Sequence, residues 1–302
     1  MADYLVFDWG GTQLKYALMN DEAKIYEKGH VDSPSRDASK EEFFALVDPI
    51  VSSYRDRIEG IAISSPGIID PFAGIIHTVA VFPYFNECCI KEEFKERYGV
   101  NVSIENDGKC AALAELWKGS LAGLKDGAVM LIGTGIGGGL IIGGKLYRGK
   151  DYSAGEFSMV ATDIYHPERR ESYWSELGYQ GLFRRLHAID GRDISEMNGH
   201  EFFELVDNKD SAACAALKQY TDALAVMLFS LNILLDLECI SIGGGISKQT
   251  SLMESLQNSI AQLPEINPDM KAGLKLPMPR VKTCAFYNDA NLIGALYHHL
   301  YE

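Results

Sequence analysis

The sequence predicts an α/β protein made of two lobes. Short apolar runs alternate with helix-like segments along the whole chain of 302 residues, which is long enough for two ordinary domains. A pattern of strand, glycine turn and strand opens the chain and returns from residue 128 as an internal repeat. No stretch rich in proline, glycine or serine separates the two halves. We therefore expect two α/β lobes packed around a cleft rather than independent domains.

The first predicted lobe covers residues 1–120. Its opening residues alternate apolar runs with glycine or charged residues, which predicts three antiparallel strands. Ser39 and Glu42 have the spacing of a capping box and predict a helix of about fifteen residues, with a kink at Pro49. The predicted strands lie at 4–7, 14–19, 24–27, 60–64 and 102–105, and the later helices at 90–98 and 108–118.

The second predicted lobe covers residues 121–288. The repeat gives an apolar run, a glycine turn at 133–139 and two further runs. A long helical pattern then leads into another run and a cluster of three glycines. A last helix, from residue 289, is expected to pack back on the first lobe. The predicted strands lie at 128–132, 140–142, 145–148, 238–242 and 281–286, and the helices at 211–235 and 247–262.

Composition excludes several classes of function. The chain holds 42 acidic and 28 basic residues, and its net charge of −14 disfavours nucleic acid or an anionic membrane surface as the main partner. No apolar window is long enough for a membrane span, and the N-terminus lacks the pattern of a signal peptide. The six cysteines show no C-x-x-C spacing, so we expect free thiols in a cytoplasmic protein.

The first glycine turn has the composition of a phosphate site. Asp8, Gly10, Gly11, Thr12 and Lys15 fall at the tip of the first predicted hairpin. Two adjacent glycines would adopt positive φ angles and bring bare N–H groups close to an anion, and Thr12 adds a hydroxyl. The Asp8 carboxylate would then hold Mg²⁺ through water, because a carboxylate beside a phosphate needs a cation. An ordinary tight β-turn is the alternative.

Two further glycine clusters differ in the element that comes after each of them. The segment 133–138 matches G-x-G-x-x-G, but a strand comes next, whereas a dinucleotide site needs a helix there. This segment therefore indicates a second hairpin whose tip can hold a phosphate. A helix does follow the cluster 243–245, which is consistent with close approach to the flat face of a base or a sugar.

Taken together, these motifs resemble those of the ROK-type sugar kinases, in the superfamily that also holds actin, the heat-shock chaperone ATPases and hexokinase. The resemblance covers essentially the whole chain, in the same order. It implies a two-lobed actin-like ATPase fold, which is ribonuclease H-like, with a central cleft for nucleotide and sugar. The motifs are 8–15 (D-x-G-G-T-x-x-K), 65–67 (S-P-G), 105–107 (E-N-D), 133–139, 155–157 (G-E-F), 243–245 and 289–295 (D-A-N-L-I-G-A).

The resemblance implies ATP and Mg²⁺ as cofactors. The two hairpin tips would bind the phosphates, the third glycine cluster would lie near adenosine, and Asp8 would hold Mg²⁺ through water. The implied nucleotide contacts are Gly10, Gly11, Thr12, Lys15, Thr134, Gly135, Gly244 and Gly245.

The resemblance makes Asp107 the general base. Its position alone, at the start of a predicted helix, favours an N-cap aspartate. A carboxylate there can also accept a hydroxyl proton and orient the alcohol oxygen for in-line attack on the γ-phosphorus. The implied sugar contacts are Asn106, Asp107, Glu156, Pro66 and Gly67.

The chain departs from the family where most members bind a structural zinc. Those members continue with Gly-His and a cysteine-rich segment, whereas this chain has Ser158-Met159 and no cysteine between Cys110 and Cys214. Zinc is therefore predicted absent, and His166 is expected to be an exposed loop residue. In this respect the chain resembles the zinc-less members, among them β-glucoside kinases and certain N-acetylmannosamine kinases.

The sugar site keeps two alternatives open. The second sugar-binding glutamate of the family falls at either Ser175 or Glu176. Aromatic residues can form a platform for a sugar ring, but core packing is their commoner role. The aromatic candidates are Phe82, Tyr84, Phe85 and Trp174.

These observations predict an ATP-dependent kinase that phosphorylates a hexose or a hexose-containing glycoside, with the 6-hydroxyl as acceptor. The alternatives are a kinase for N-acetylmannosamine or another hexose derivative, and a non-catalytic sugar-binding protein. A sugar-sensing repressor of the same family would carry an N-terminal helix-turn-helix, and the first hairpin motif at residue 8 leaves no room for one. We expect a small-molecule sugar and ATP as partners, and a homodimer, since dimers are common in the family.

Overall fold

A computed structural model describes residues 2–302 of the chain, which form alternating strands and helices. The strands are β1 (Asp3–Trp9), β2 (Gln13–Asn20), β3 (Ile25–Asp32), β4 (Ile58–Ser65), β5 (Ile68–Asp70), β6 (Ile75–Thr78), β7 (Cys88–Cys89), β8 (Asn101–Asn106), β9 (Gly127–Ile132), β10 (Ile136–Ile142), β11 (Lys145–Tyr147), β12 (Cys239–Gly243) and β13 (Val281–Thr283). The helices are α1 (Lys40–Tyr54), α2 (Ile90–Tyr98), α3 (Asp107–Lys118), α4 (Tyr179–Asp190), α5 (Gly199–Asp207), α6 (Ser211–Leu235), α7 (Thr250–Ile266), α8 (Pro268–Lys271) and α9 (Ala290–Tyr301).

The chain divides into two compact units. The first unit contains the chain up to Ala122 together with Leu146–Gly155 and Asn288–Glu302, and the second contains Gly123–Lys145 and Glu156–Tyr287. The C-terminal helix α9 therefore belongs to the first unit.

The segment Leu146–Gly155 differs from the sequence prediction, which placed it in the second lobe. Arg148 explains the difference. Its guanidinium binds the carboxylates of Glu105 and Glu302, both in the first unit, and this pairing keeps the segment with that unit.

A five-stranded sheet in the order β3-β2-β1-β4-β8 forms the centre of the first unit. Strands β1, β2 and β3 pair antiparallel, which confirms the predicted hairpins, and β1, β4 and β8 pair parallel. The register places Asp8 opposite Lys15 on one side and Ser64 on the other, and Ser65 opposite Asn106. Because parallel strands end at the same edge of a sheet, these polar side chains share one edge.

Aromatic side chains fill the core of the first unit. Trp9 is buried beneath the hairpin tip and stacks on Phe85, with ring centroids 5.4 Å apart. Phe82 and Phe85 are buried in the same core, and Trp174 is buried in the core of the second unit. The core-packing interpretation of these three aromatic residues is therefore confirmed.

Local signals in the sequence fix the helix ends of the first unit. Ser39 and Glu42 form both bonds of the predicted capping box, and α1 runs for 15 residues through Pro49. Helix α2 ends at Gly99, whose φ of 72° is in the left-handed region. The small sheet β5-β6-β7 was not predicted, because strands of two to four residues are too short to show an alternating pattern.

The C-terminal helix α9 packs closely on α3. A Cβ built on Gly294 would lie 1.7 Å from the carbonyl oxygen of Cys110, so only glycine allows this approach. Near the end of α9, the His299 ring forms a hydrogen bond of 2.9 Å between Nδ1 and the Ser103 hydroxyl.

The second unit repeats the pattern of the first. Strands β10, β9, β12 and β13 lie side by side in that order, with β9 and β10 antiparallel and β9, β12 and β13 parallel. The predicted glycine turn at 133–139 is too long, because β10 begins at Ile136. Gly137, Gly138 and Gly139 pair with β9 as strand residues, so only 133–135 form the turn.

The helices of the second unit were predicted in part. Helix α6 has the predicted bounds, whereas α4 and α5 were not predicted. A capping box at Asn198 and Glu201 opens α5 and was the available signal. No helix within residues 2–302 combines the length and apolar character needed to span a membrane.

Two predicted boundaries near the third glycine cluster need correction. A short 3-10 helix, Gly245–Lys248, begins at the last glycine of the cluster, and α7 begins only at Thr250. Strand β13 ends at Thr283 rather than at residue 286, because the chain then turns towards α9.

We expect His299 to make the protein sensitive to acid. The pKa of His299 is lowered to about 4, mainly by burial, with smaller contributions from His298 and Lys91. The unfolded chain binds a proton below about pH 6.5, whereas the folded protein binds it only below about pH 4, so the free energy of unfolding falls as pH drops through this window. The loss from this residue should be roughly 2 kcal/mol at pH 5.

Urea unfolding at neutral pH and near pH 5 measures this effect. His299→Gln stays polar but cannot titrate, so it should lose less unfolding free energy than the wild type. His200→Gln, at an exposed site, is the matched control and should follow the wild type. An equal loss in the wild type and His299→Gln would contradict the assignment.

Candidate active site

The first hairpin tip is a tight turn that needs glycine for space. The Gly10 N–H donates to the Gln13 carbonyl at 3.0 Å, and a Cβ on Gly10 would lie 2.8 Å from that oxygen. Neither Gly10 nor Gly11 has a positive φ, so the predicted backbone conformation is wrong. Gly11 and Thr12 are exposed, and the Gly10 N–H is already used within the turn.

Asp8 lies at the end of β1, next to this turn, and is 5% exposed. Its Oδ1 accepts hydrogen bonds from the Ser64 hydroxyl at 3.1 Å and from the Asn291 amide at 3.0 Å. The Lys15 ammonium lies 3.6 Å from Oδ2. The structure thus brings Asp8, Lys15 and the glycine turn together, as the sequence predicts.

Sequence reasoning assigned no role to Ser64 or Asn291. The motif at 289–295 was recognised, and the polar Asn291 at its centre was the available signal. Ser64 could be found only through strand pairing, since it lies opposite Asp8 in the register.

The hydrogen bonds of the Asp8 carboxylate are compatible with a bound magnesium ion. Mg²⁺ in phosphoryl-transfer enzymes takes one or two protein carboxylates, and substrate phosphates and water fill the rest of its shell. In Asp8, Ser64 and Asn291 fix Oδ1 and leave Oδ2 facing Lys15. The donor set therefore suits an ion that is shared with a phosphate ligand.

Asn106, and not Asp107, is the N-cap of α3. The Asn106 Oδ1 accepts the Lys109 N–H at 3.1 Å, and its Nδ2 donates to the Gly67 carbonyl at 2.9 Å. The N-cap interpretation of Asp107 is therefore wrong. Asp107 is the first residue of α3, is half-buried, and accepts the Gly108 N–H at 2.8 Å.

Gly67 lies where β4 has ended, one residue after Pro66. Its φ of 112° and the carbonyl oxygen of Thr78, only 2.3 Å from a Cβ built there, both require glycine. The Gly67 carbonyl is thereby fixed as the anchor of Asn106. Among the predicted sugar contacts, Gly67 and Asn106 are thus in direct contact.

A buried ion pair supports the Asn106 backbone. Glu105 is fully buried, its Oε1 accepts the Asn106 N–H at 2.8 Å, and its Oε2 accepts Arg148 Nε at 2.6 Å. Arg148 also binds Glu302. Burial alone would lower the pKa of Arg148, but the two carboxylates outweigh it and raise the pKa.

Glu105, His298 and Glu302 offer three possible metal ligands within 4.8 Å of one another. The Arg148 guanidinium already bonds to both carboxylates of this group. The cluster is therefore a salt-bridge network and not a metal site. No sequence motif marked Arg148.

The thiol of Cys110 lies among the carboxylates of the first unit. It is fully buried, and burial is the main cause that raises its pKa well above the usual value. Glu105, Asp107 and Asp8 raise the pKa further by their charges. Burial and the three negative charges therefore favour the neutral thiol.

The second hairpin tip is held by Ser158. The Ser158 hydroxyl accepts the Ile136 N–H at 2.9 Å and donates to the Ile136 carbonyl at 3.0 Å. On the other side, the Tyr179 N–H donates to the Gly133 carbonyl at 2.9 Å. Thr134 is exposed and Gly135 is half-buried, so the tip stays accessible in this unit.

The third glycine cluster packs on the end of β9. Gly244 has a φ of 96°, and a Cβ there would lie 2.1 Å from the Ile132 carbonyl oxygen. The Ser247 hydroxyl donates to the Gly244 carbonyl at 2.9 Å. A Cβ on Gly245 would meet nothing within 4 Å, so this residue presents bare backbone to open space.

The segment that differs from the zinc-binding members is closed by hydrogen bonds. The Thr162 N–H donates to the Ser172 carbonyl at 2.7 Å, and the Trp174 N–H donates to the Val160 carbonyl at 2.9 Å. His166 is exposed, as predicted. These bonds tie the two ends of the loop to each other.

The structure distinguishes the two candidates for the second sugar contact. Ser175 lines a pocket of about 480 Å³ together with Thr134, Gly135 and Ser158. Glu176 instead accepts Arg184 Nε at 2.7 Å. Ser175 is thus the residue beside the second hairpin tip. Glu156, half-buried, immediately precedes the turn Phe157–Met159 that carries Ser158.

Comparison with known proteins identifies the family of this chain. The sequence matches the ROK family over residues 4–299. A β-glucoside kinase from Listeria monocytogenes is 30% identical over 298 residues, which cover 98% of this chain and 97% of the relative. This chain therefore belongs to the ROK family.

Solved structures share the fold. A ROK family protein from Streptococcus pneumoniae, determined in complex with sucrose, has a TM-score of 0.86 and 27% identity, covering 99% of this chain and 98% of that one. A ROK family glucokinase from Streptomyces griseus, in complex with glucose and AMPPNP, has a TM-score of 0.78 and 22% identity, covering 98% of each chain. The predicted actin-like ATPase fold is therefore confirmed.

We expect Asn291 to position Asp8. Asn291→Ala removes one of the two hydrogen bonds to Asp8 Oδ1, and binding of Mg²⁺ in the presence of AMPPNP should weaken about tenfold. Isothermal titration calorimetry with Mg²⁺ as titrant measures this directly. Asn258→Ala, on the exposed face of α7, is the matched control and should bind as the wild type does. Unchanged Mg²⁺ affinity in Asn291→Ala would rule out this role.

Proposed function

We propose that this protein is an ATP-dependent carbohydrate kinase that transfers the γ-phosphoryl group to the 6-hydroxyl of a hexose or a hexose-containing glycoside. The observation that carries the proposal is the position of Asp107, directly after Asn106 at the end of β8, in the same unit as Asp8 and its glycine turn. Phosphoryl transfer to a hydroxyl needs a base for the alcohol and a metal-binding carboxylate beside the phosphates. Membership of the ROK family supports the same reaction.

Asp107 would act as the general base. The Gly108 N–H bond and the N-terminus of α3 favour its negative charge. The carboxylate accepts the proton of the sugar hydroxyl while the alcohol oxygen attacks the γ-phosphorus, opposite the leaving oxygen of ADP. This in-line displacement breaks one P–O bond as it forms another.

Asn106 would orient the sugar from a rigid position. It is 5% exposed and anchored by Lys109 and Gly67. These two bonds use one amide hydrogen and one carbonyl lone pair, so a second hydrogen and lone pair have capacity for a sugar hydroxyl. Glu156, Pro66 and Gly67 complete the proposed sugar contacts.

The metal and phosphate contacts of the first unit follow from its hairpin. Asp8 would hold Mg²⁺ through water, and the ion would neutralise phosphate charge when bound. Gly11 and Thr12 offer exposed groups to phosphate, and Gly10 shapes the turn. Lys15, close to Asp8 Oδ2, would pair with a phosphate oxygen.

The second unit would bind the rest of ATP through Thr134, Gly135, Gly244 and Gly245. A pocket of about 360 Å³ in this unit supports the assignment, because its mainly polar lining also contains Tyr179, Phe183 and Met197, which can pack on a base. Tyr179 also ties the start of α4 to the second hairpin. Tyr179 therefore connects the pocket to the turn of the second hairpin.

β-Glucosides are the substrates that we favour. The similarity to β-glucoside kinase supports this choice. Ser175 lines the pocket beside the second hairpin, where its short side chain leaves room for part of a glycoside. N-acetylmannosamine or another hexose derivative is the second candidate.

We further propose that the protein is a cytoplasmic homodimer with no structural zinc. The six cysteines are free thiols, which suits a reducing compartment. The net charge of −14 gives no support to a nucleic acid or membrane partner. Ser158 and the backbone bonds of the loop hold the segment in which other family members bind zinc.

A screen of acceptors tests the proposed function. ADP release, coupled to an indicator enzyme, should be fast with cellobiose or aryl β-glucosides, and NMR of the product should place the phosphate on O6. The same assay with glucose, mannose, fructose and N-acetylmannosamine ranks the alternatives. No turnover with any of these sugars would favour a non-catalytic sugar-binding protein.

Asp107→Asn should lower kcat by a factor of about 100 or more, because the amide cannot accept the hydroxyl proton. Sugar affinity should be largely kept, since the amide has almost the same shape. Equilibrium binding of the sugar and steady-state kinetics separate the two effects. Asp56→Asn, at an exposed position in the same unit, removes the same charge and should leave kcat unchanged. Near-normal turnover of Asp107→Asn would end the general-base assignment.

Removal of metal should distinguish an exchangeable magnesium site from a structural zinc site. Dialysis against a chelator should abolish turnover, and Mg²⁺ alone should restore it, because Asp8 acts with an exchangeable ion. The thermal unfolding midpoint should not change, because hydrogen bonds close the loop around His166. A lower midpoint that only Zn²⁺ restores would contradict the proposed absence of zinc.

A further inference from the structure

A pocket of about 370 Å³ lies in the first unit, at the opposite end of β8 from Asp107. The strand runs from Asn101, which lines the pocket, to Asn106, a distance of about 17 Å at the usual rise per residue. The pocket is therefore separate from the proposed active site. Its walls come from the turn before β6, from α2, from β8 and from the end of α9.

Two lysines give this pocket a positive charge. Lys91 and Lys95 lie one helical turn apart on α2, both exposed, and both line the pocket. Within residues 2–302, neither forms an ion pair with a carboxylate. In a chain with a net charge of −14, two unpaired lysines in one pocket favour an anionic ligand.

The other titratable groups around the pocket do not cancel this charge. Glu302 is already bound by Arg148 and by His298 Nδ1, which lies 3.2 Å away. Burial lowers the pKa of His299 to about 4, so this imidazole is neutral at pH 7. The lysines therefore supply the free charge, and the Ser103–His299 pair supplies neutral polar groups.

An apolar wall indicates that the ligand also has an organic part. Phe72 is 60% exposed and lines the pocket together with Pro71. A large aromatic side chain exposed beside two lysines can cover the carbon atoms of a ligand while the lysines hold its charge.

We propose that this pocket binds a small phosphate monoester. Lys91 and Lys95 would hold the phosphate, because two ammonium groups on neighbouring turns suit a dianion. Phe72 would pack against the organic part, and Ser103 with His299 would bind a polar group of the ligand. The pocket volume of about 370 Å³ accommodates a compound of this size.

A chain of contacts connects this pocket to the residues beside Asp107. Glu302, on the pocket wall, binds Arg148, and Arg148 binds Glu105. The other oxygen of Glu105 accepts the Asn106 N–H. The Arg148 guanidinium also lies 5.4 Å from the centre of the Phe72 ring. A ligand on Phe72 and Glu302 would thus act on the ion pair that holds Asn106, and so change sugar affinity.

Calorimetry tests the binding site without any need for turnover. The protein is saturated with Mg²⁺ and AMPPNP, so that phosphates cannot enter the nucleotide site, and titrated with glycerol 3-phosphate or with inorganic phosphate. The wild type should bind glycerol 3-phosphate more tightly than inorganic phosphate. The double variant Lys91→Ala/Lys95→Ala should bind glycerol 3-phosphate at least about tenfold more weakly than the wild type does. Lys271→Ala/Lys275→Ala removes two exposed lysines with the same spacing in the second unit and should bind like the wild type.

Equal binding by the wild type and Lys91→Ala/Lys95→Ala would overturn the proposal, and so would the absence of binding by either phosphate compound. Kinetics then test the connection to the active site, which rests on the proposed function. Saturating glycerol 3-phosphate should change the KM for the sugar at least about twofold in the wild type and leave the lysine variant unchanged. An unchanged KM in the wild type would overturn the connection. Failure of the proposed function gives a different result from failure of the connection, because no sugar would then be turned over at all.

Discussion

Parallel pairing of β1, β4 and β8 determines where the polar residues of the first unit lie. The register places Asp8 beside Ser64 and Ser65 beside Asn106, so three strand ends bring their polar residues to one edge of the sheet. A slip of one residue would turn Asp8 to the opposite face and bring the apolar Phe7 or Trp9 to its place. Both aromatic residues are fully or almost fully buried, so the cost of exposing them protects the register. The hydrophobic core therefore fixes the positions of the charged groups.

The charged groups near this edge are held by specific partners in a chain that is strongly acidic overall. Glu105 is fully buried and would be costly without Arg148, since loss of one partner of a buried ion pair costs about 3–5 kcal/mol. The same pair holds the Asn106 N–H and keeps the segment that contains Arg148 in the first unit. The glycine turns complement this arrangement. They leave backbone groups exposed where few cationic side chains are available.

Much of the fold could be predicted because local signals agree with it. The hairpin turns, the capping box at Ser39 and the glycine after α2 depend on neighbouring residues only. The motifs also marked Asp8, near the end of β1, and Asp107, the first residue of α3. Contacts between distant segments could not be predicted in this way. Arg148, Ser64 and Asn291 gain their roles from residues far away in the chain, and no spacing rule connects them. The positive φ angles predicted for Gly10 and Gly11 were wrong. Glycine is needed at position 10 because a side chain would have no space there.

The close packing of α9 on α3 has a consequence for the order in which the protein becomes competent. Asp8 and Asn291 are separated by 283 positions, so the N-terminal strand emerges from the ribosome long before the residue that completes its site. Gly294 lets α9 fit against Cys110 only once α3 has formed. The first unit therefore cannot finish folding until the whole second unit has been synthesised, and such distant contacts form slowly. During this interval the Asp8 carboxylate lacks its amide partner. Translation thus supplies Asp8 early and completes its hydrogen bonds last.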